Sequence, residues 1–304
     1  MAAKLLACVQ ATRPPFLLLA PLCALLGVTA ALAAGLAPGV TDTLLVLGGS
    51  VSAHAAANLL NEYHDFRSGL DALTRRTPFS GGSGVLPACP EAAPLVASSA
   101  LGCLLITLAI GAYFLLQRGP AMLGFGIAGL ALVVAYSGWI VRRPLLCLLA
   151  PGLGFGPLMG LGAHWAVSGR LSMPVLVAMP LPLLLVSALL LVNQLPDIDA
   201  DRRVGRRHLA IALGPGHAAR VAALLNVLAF AVLASGLMLG GLPNTLWPAL
   251  ALALPALWLA VGLWRLEAGD LQGDRTHLLR LMAMQVAVLL LTLATLDVGL
   301  WWSA

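Results

Sequence analysis

Apolar residues in this 304-residue chain run in long unbroken stretches, at about 16–37, 43–64, 95–116, 120–141, 145–167, 173–195, 217–240, 245–264 and 279–302. Each approaches the ~20 residues that carry a helix across a bilayer. The runs are continuous rather than alternating, and Leu and Ala dominate them, which selects helices over membrane strands. The pattern predicts an all-α polytopic membrane protein, a bundle of nine transmembrane helices forming one domain over residues 1–304. The polar positions are just as uneven. Three long polar connections, about 65–94, 197–216 and 265–278, fall on one face of the membrane, whereas the opposite connections, such as 36–42 and 240–245, are minimal turns. Long loops gathered on one face place function there.

Composition narrows the class. The chain is 60% hydrophobic and 10% charged, with a mean hydropathy of +0.96. A soluble domain carries roughly a quarter charged residues. The formal charge of +5 is no nucleic-acid footprint, because 15 of the 17 Lys and Arg residues lie on the side of the N-terminus. Only Arg118 and Arg170 lie opposite. The positive-inside rule then sets the N-terminus in the cytoplasm and the C-terminus outside a cell (inner) membrane. The short basic start, Met1 to Pro15, is not followed by a clean cleavage site. Cys8, Cys23, Cys89, Cys103 and Cys147 show no paired spacing and indicate neither a disulfide framework nor a zinc site.

Six of the twelve carboxylates sit in two short stretches at the ends of apolar runs: Glu62, Asp65 and Asp71, and Asp197, Asp199 and Asp201. Acids placed there are costly, and clusters of them mark sites. Asn58, Asn61 and Asp65 stand at i, i+3 and i+7, one stripe of a helix that His54 continues one turn earlier. Asp71 follows Gly69 and reaches back from a loop. Asn193, Asp197 and Asp201 repeat at i, i+4 and i+8, and Pro196 kinks or ends their helix just where the acids begin. Carboxylates interleaved with Arg suit magnesium holding a polyphosphate: hard oxygen ligands for the ion, guanidinium groups for phosphate oxygens. The assigned magnesium ligands are Asp65, Asp71, Asp197 and Asp201, with Asn61 and Asn193 ligating or orienting the polyphosphate.

Around these motifs stand other candidates. The stretch Thr77-Pro-Phe-Ser80-Gly-Gly-Ser83-Gly84 can wrap a phosphate with backbone N–H groups. The run Arg202-Arg203-Val-Gly-Arg206-Arg207 begins directly after Asp201, so at least one arginine turns into the site; Arg203 is the choice, with Arg202 beside it. Arg67, Arg142 and Arg143 are further cations at the same membrane face. The histidines read as core or interface residues. Asp297, near the outer end of the last run, reads as reaching the interface, with Trp301 and Trp302 as anchors.

The two motifs, Asn61-Glu62-x-x-Asp65-x5-Asp71 and Asn193-x-x-x-Asp197-x-Asp199-x-Asp201, resemble those of the UbiA-type intramembrane prenyltransferases. The Phe79–Leu86 stretch and the Asp201–Gly214 tail look like the branch that makes menaquinone precursors from 1,4-dihydroxy-2-naphthoate. The resemblance implies a bundle in which helices 2 and 6 bring the motifs together, and Mg2+-dependent transfer from a polyprenyl diphosphate to an aromatic acceptor. Taken with the residue reading above, catalysis falls to Asp65, Asp71 and Arg203, and substrate binding, with a cation for an acceptor carboxylate among them, to Asn58, Asn61, Arg67, Ser80, Tyr136, Arg142, Arg143, Asn193 and Arg202. Two departures stand out. Glu62 replaces a common Asp, and Tyr136 is spaced more widely from Arg142 and Arg143 than the Tyr–basic pair of many relatives. The acceptor alternatives are 4-hydroxybenzoate, homogentisate and a glycerol-phosphate lipid; the alternative class is a cation-coupled secondary transporter.

Overall fold

The computed structural model describes residues 2–267, 269 and 275–304, and every regular element among them is helical. Seven segments are long and apolar enough to cross a membrane: Val40–Ser68, Pro90–Arg118, Pro144–Ser168, Met173–Arg203, Pro215–Met238, Asn244–Trp264 and Thr276–Trp302. An eighth, Ala3–Leu17 with Leu19–Ala33, is bent by 43°, and the apolar helix Ala121–Tyr136 is shorter. Each of the nine expected runs overlaps one of these. The expected polar connection at 265–278 is described only in part: residues 268 and 270–274 lie outside the described residues.

The helical elements are α1 (Ala2–Ala11), α2 (Pro14–Leu17), α3 (Leu19–Ala33), α4 (Val40–Ser68), α5 (Leu70–Leu73), α6 (Val85–Ala88), α7 (Ala93–Arg118), α8 (Ala121–Tyr136) and α9 (Pro144–Leu153). A π-helical stretch, Gly154–Leu161, continues α9 into α10 (Gly162–Ser168). Then come α11 (Met173–Ala178), α12 (Pro180–Gln194), α13 (Ile198–Arg203), α14 (Leu209–Leu213), α15 (Pro215–Met238), α16 (Ala253–Trp264) and α17 (Thr276–Trp302).

Small residues let these helices approach closely. Ala218, Ala219, Ala222 and Ala223 of α15 are buried in a core shared with α12, α16 and α17. Such packing drives helix association in lipid, where apolar side chains gain nothing by leaving the surrounding tails. On α3, a β-carbon at Gly27 would stand 2.2 Å from the Gly160 carbonyl oxygen of the π-helical stretch. Only glycine allows that backbone contact.

On the other side of the bundle α7 and α8 leave much of their surface exposed. The apolar window of Pro90–Arg118 is only 11% buried, and α8 has no buried residue. Buried Ala93, Val96 and Ala100 pack α7 against α1 and α4, and polar contacts hold its far end: Arg118 Nη2 pairs with Asp42 at 2.9 Å and its Nε donates to the Ala166 carbonyl at 2.7 Å, while Tyr113 donates to Asp42 at 2.9 Å. This half leaves a cavity between α4, α7, α8 and the α9–α10 span. Asp297 departs from expectation. It is buried rather than interfacial and accepts from Thr29 Oγ1 at 3.2 Å, so α3 supplies a partner that the sequence pattern did not reveal.

Candidate active site

Two local breaks bring the acidic motifs together. α4 ends at Gly69, whose φ of 77° closes the helix with its N–H on the Asp65 and Phe66 carbonyls, the usual glycine C-cap. The chain then turns into α5, which carries Asp71 back over the cavity mouth. On the other side α12 ends at Gln194, and Pro196 lies in a single 3-10 turn, Leu195–Asp197, before α13. Proline lacks the N–H that an uninterrupted α-helix would need there.

The cavity holds about 650 Å³. Asn58, Asn61, Asp65, Asp71, Asn193, Asp197 and Asp201 line its polar end, together with Ser80 and Tyr136, and the remainder of its wall is largely apolar. Leu108, Leu123 and Ile127 line that wall and are also 48%, 46% and 65% exposed, so the cavity opens sideways between α7 and α8.

Arg206 joins the motifs. Its guanidinium pairs with Asp65 and, at 3.1 Å, with Asp201. Asn61 Nδ2 donates to Asp65 at 3.0 Å, and His208 Nε2 lies 2.8 Å from Asp201. Burial works against the charge on Arg206, but Asp65 and Asp201 outweigh it and raise its pKa further.

The expected arginine was Arg203, and the structure corrects that choice. Arg203 is exposed and lines no part of the cavity. α13 ends at Arg203, Gly205 takes φ 81°, and the Arg206 N–H returns to the Asp201 carbonyl at 3.0 Å, which swings Arg206 inward. The glycine between the two Arg pairs was the available signal. Arg202 is exposed beside Asp199, 3.9 Å away, and Asp199 itself faces outward. Arg67, Arg142 and Arg143 are likewise exposed and outside the cavity lining; Arg143 lies over the Trp139 ring at 5.3 Å.

The glycine- and serine-rich loop closes one side. Thr77 Oγ1 accepts from the Phe79 and Ser80 N–H groups, and Ser80 Oγ reaches Asp197 Oδ1 at 3.5 Å. Gly82 has φ 75°, and a β-carbon on it would meet Asp71 Oδ1 at 3.0 Å. Glu62, fully buried, anchors this loop: it accepts from the Ser83 N–H at 3.1 Å and from the Ser83 hydroxyl, and pairs with Arg13 at 3.0 Å. Arg13 comes from the basic stretch Met1 to Pro15 at the start of the chain. It is the one described non-glycine residue with positive φ, at 55°. His54 differs from a satisfied core histidine, for its Nδ1 has no partner and its ring sits edge-on to Phe155 at the cavity wall.

Whether magnesium fits depends on the oxygens left over. Asp71 Oδ2 and Asn193 Oδ1 are buried without hydrogen-bond partners, and both residues line the polar end. Burial first, then the charges of Glu62 and Asp65, push the Asp71 carboxyl up to about 7. Among the described residues no three His, Cys, Asp or Glu side chains stand close enough to hold an ion unaided. The donor set suits an ion that keeps waters and takes a few carboxylates plus substrate phosphates.

The model of the UbiA prenyltransferase family matches residues 20–289. The chain belongs to the UbiA prenyltransferase family. Among its relatives, UbiA prenyltransferase domain-containing protein 1 of Danio rerio is 34% identical over 58% of this chain and 53% of that protein. The 1,4-dihydroxy-2-naphthoate octaprenyltransferase of Bacillus subtilis (strain 168) is 30% identical over 52% and 50%. The chain thus spans about half the length of the curated relatives it matches. The UbiA fold extends further. A UbiA homologue from Aeropyrum pernix K1 superposes with a TM-score of 0.70 at 19% identity, covering 94% of this chain and 96% of that one. A homologue from Archaeoglobus fulgidus, solved bound to GPP and Mg2+, gives 0.63 at 16% identity over 97% and 99%.

Proposed function

We propose that this chain transfers a prenyl group from a polyprenyl diphosphate to an aromatic acceptor, with 1,4-dihydroxy-2-naphthoate the favoured acceptor and its carboxyl group lost on transfer. One observation carries the reading. Two acidic motifs far apart in sequence meet at the polar end of a cavity whose remaining wall is apolar and opens toward lipid. A molecule with an anionic head and a hydrocarbon tail matches that division. The named octaprenyltransferase relative and the GPP- and Mg2+-bound homologue support the same class.

The roles follow from the contacts. Asp71, Asp197 and Asn193 offer oxygen ligands toward magnesium, and Asp65 and Asp201 become available where Arg206 shifts from them to phosphate oxygens. Bound magnesium supplies charge neutralisation for the departing diphosphate. Arg206 stabilises the same developing charge from preorganised N–H groups. The C1–O bond of the donor breaks with its electron pair on diphosphate, an electron-rich ring carbon bonds to C1, and the ring loses carbon dioxide or a proton. Asp71, whose carboxyl is pushed up to about 7 by burial and by Glu62, takes the ring proton as base only in its ionised form. We read residues 1–304 as one catalytic unit, with the motif end and the N-terminus cytoplasmic.

Purified protein incubated with magnesium, geranyl diphosphate and a panel of aromatic and glycerol-phosphate acceptors tests this by product mass. A prenylated, decarboxylated naphthol is expected. Efficient use of another acceptor without a naphthoate product would remove the favoured acceptor, and no diphosphate release with any acceptor would remove prenyl transfer itself.

A further inference from the structure

At the membrane face that carries the motifs, one cluster of positive charge has no part in the reaction. α8 ends at Tyr136, and Ser137 donates to Asn61 Oδ1 at 3.1 Å, which fixes the α8–α9 junction at the motif end. Arg142 and Arg143 leave that junction directly after Val141. The Arg207 N–H donates to the Val141 carbonyl at 3.0 Å, so the loop after α13 brings a third arginine to the same place. All three are exposed and none lines the cavity. Among the described residues, none of them takes part in an ion pair.

The positive-inside rule accounts for the sign of these charges but not for their grouping. Other arginines of this face have partners: Arg202 faces Asp199, Arg13 pairs with Glu62, and Arg220 lies over the Trp264 ring at 5.8 Å. Here three planar guanidinium forks gather with no carboxylate, and such forks match phosphate oxygens. The surroundings select the kind of phosphate. Arg143 lies over the Trp139 ring at 5.3 Å, and Trp139 is 53% exposed, as a tryptophan at headgroup level is. Leu145, 66% exposed, and Leu146 follow on α9 and continue the patch into the lipid-facing surface. A phosphate joined to hydrocarbon matches that sequence of surfaces.

We infer that Trp139, Arg142, Arg143 and Arg207 form a seat for one anionic phospholipid, its headgroup phosphate on the arginines and its acyl chains along Leu145 and Leu146. Basic pockets between spans take such headgroups. The seat adjoins the reaction's own cation. Arg206 directly precedes Arg207, and the bond from Arg207 to Val141 fastens the loop that turns Arg206 toward Asp65 and Asp201. A bound headgroup holds that loop from outside and favours the arrangement in which Arg206 faces the motifs. This coupling rests on the prenyl-transfer reading, whereas the lipid binding does not.

Detergent-purified full-length protein is equilibrated with equal amounts of phosphatidylglycerol and phosphatidylcholine, and the lipid it retains is counted by native mass spectrometry. Wild type should retain phosphatidylglycerol in preference. An arginine at an anionic surface strengthens association about fivefold, so Arg143→Gln combined with Arg207→Gln should weaken retention by about tenfold or more. Arg75→Gln combined with Arg265→Gln removes the same charge from exposed positions outside the seat and, acting only through the screened surface field, should cost less than about twofold. Equal retention of the two lipids by wild type, or equal losses in the two double variants, overturns the seat. Displacement of phosphatidylglycerol by inorganic phosphate reveals a free-anion site and overturns the lipid. In phosphatidylcholine vesicles, added phosphatidylglycerol should speed diphosphate release from geranyl diphosphate by wild type and leave the Arg143/Arg207 variant unmoved. A wild-type rate that does not respond, with lipid retention intact, overturns the coupling to Arg206. No diphosphate release in any vesicle, again with retention intact, removes the prenyl-transfer reading and supports the seat.

Discussion

The Arg206 guanidinium pairs with Asp65 of the opposite acidic motif, 141 residues earlier in the chain, and with Asp201 of its own motif. One side chain thereby stands between carboxylates that would otherwise repel each other in a poorly solvated site. Removing one partner of a buried ion pair costs about 3–5 kcal/mol, because the remaining charge is left uncompensated. Arg206→Ala should lower the thermal midpoint in magnesium-free buffer, and magnesium should restore more of it than in wild type. A Lys at 206 should recover less than half, since a point charge does not bridge two carboxylates as a planar fork does. Melting curves with and without magnesium check both.

Arg203 offers the contrast. It is exposed and outside the cavity, so Arg203→Ala should change stability by no more than about 0.5 kcal/mol and turnover by less than about twofold. Arg206→Ala should reduce kcat by at least two orders of magnitude, the scale of losing a group that stabilises developing charge. Parallel kcat measurements on the two variants separate the arginines.

Gly82→Ala combines two penalties. A left-handed backbone costs a non-glycine residue about 1–2 kcal/mol, and the new methyl would meet Asp71 Oδ1 at 3.0 Å. The helical bundle lies elsewhere, so far-ultraviolet circular dichroism should be unchanged while activity falls more than tenfold. Retained activity would show that the loop gives way without disturbing Asp71.

The Asp71 carboxyl sets a pH dependence. Its pKa of about 7 in the folded protein exceeds the ordinary value of 3.8, so the folded state binds the extra proton. In magnesium-free buffer its contribution to stability is therefore present at low pH and is lost as pH rises from about 4 to about 7. Magnesium competes for the same oxygen, so magnesium affinity should rise across that window's upper end and level off above it. Asp71→Asn should flatten both trends. Thermal melts across pH, with and without magnesium, measure the slopes.

The membrane spans were legible because an apolar run of bilayer length has few other uses. The acidic motifs were legible because acids at such helix ends are costly. The choice of arginine was not. Adjacency to Asp201 favoured Arg203, whereas a single left-handed glycine reverses the chain after α13 and brings Arg206 in instead. Arg13 and Glu62 escaped for a different reason: they are 49 residues apart, and only tertiary packing makes them a pair. The same holds for Asp297 and Thr29, joined across 268 residues. Arg67, Arg142 and Arg143 had the right charge, but local helix ends turn them outward.

The sideways opening between α7 and α8, marked by the exposed cavity residues Leu108, Leu123 and Ile127, bears on how the donor's concentration is reckoned. A long-tailed donor arriving by that route is drawn from the bilayer, so its effective concentration is a mole fraction among amphiphiles rather than a molarity in buffer. Adding detergent at fixed donor and protein should then slow the reaction by surface dilution, and rates from different preparations become comparable only when scaled to the ratio of donor to total amphiphile.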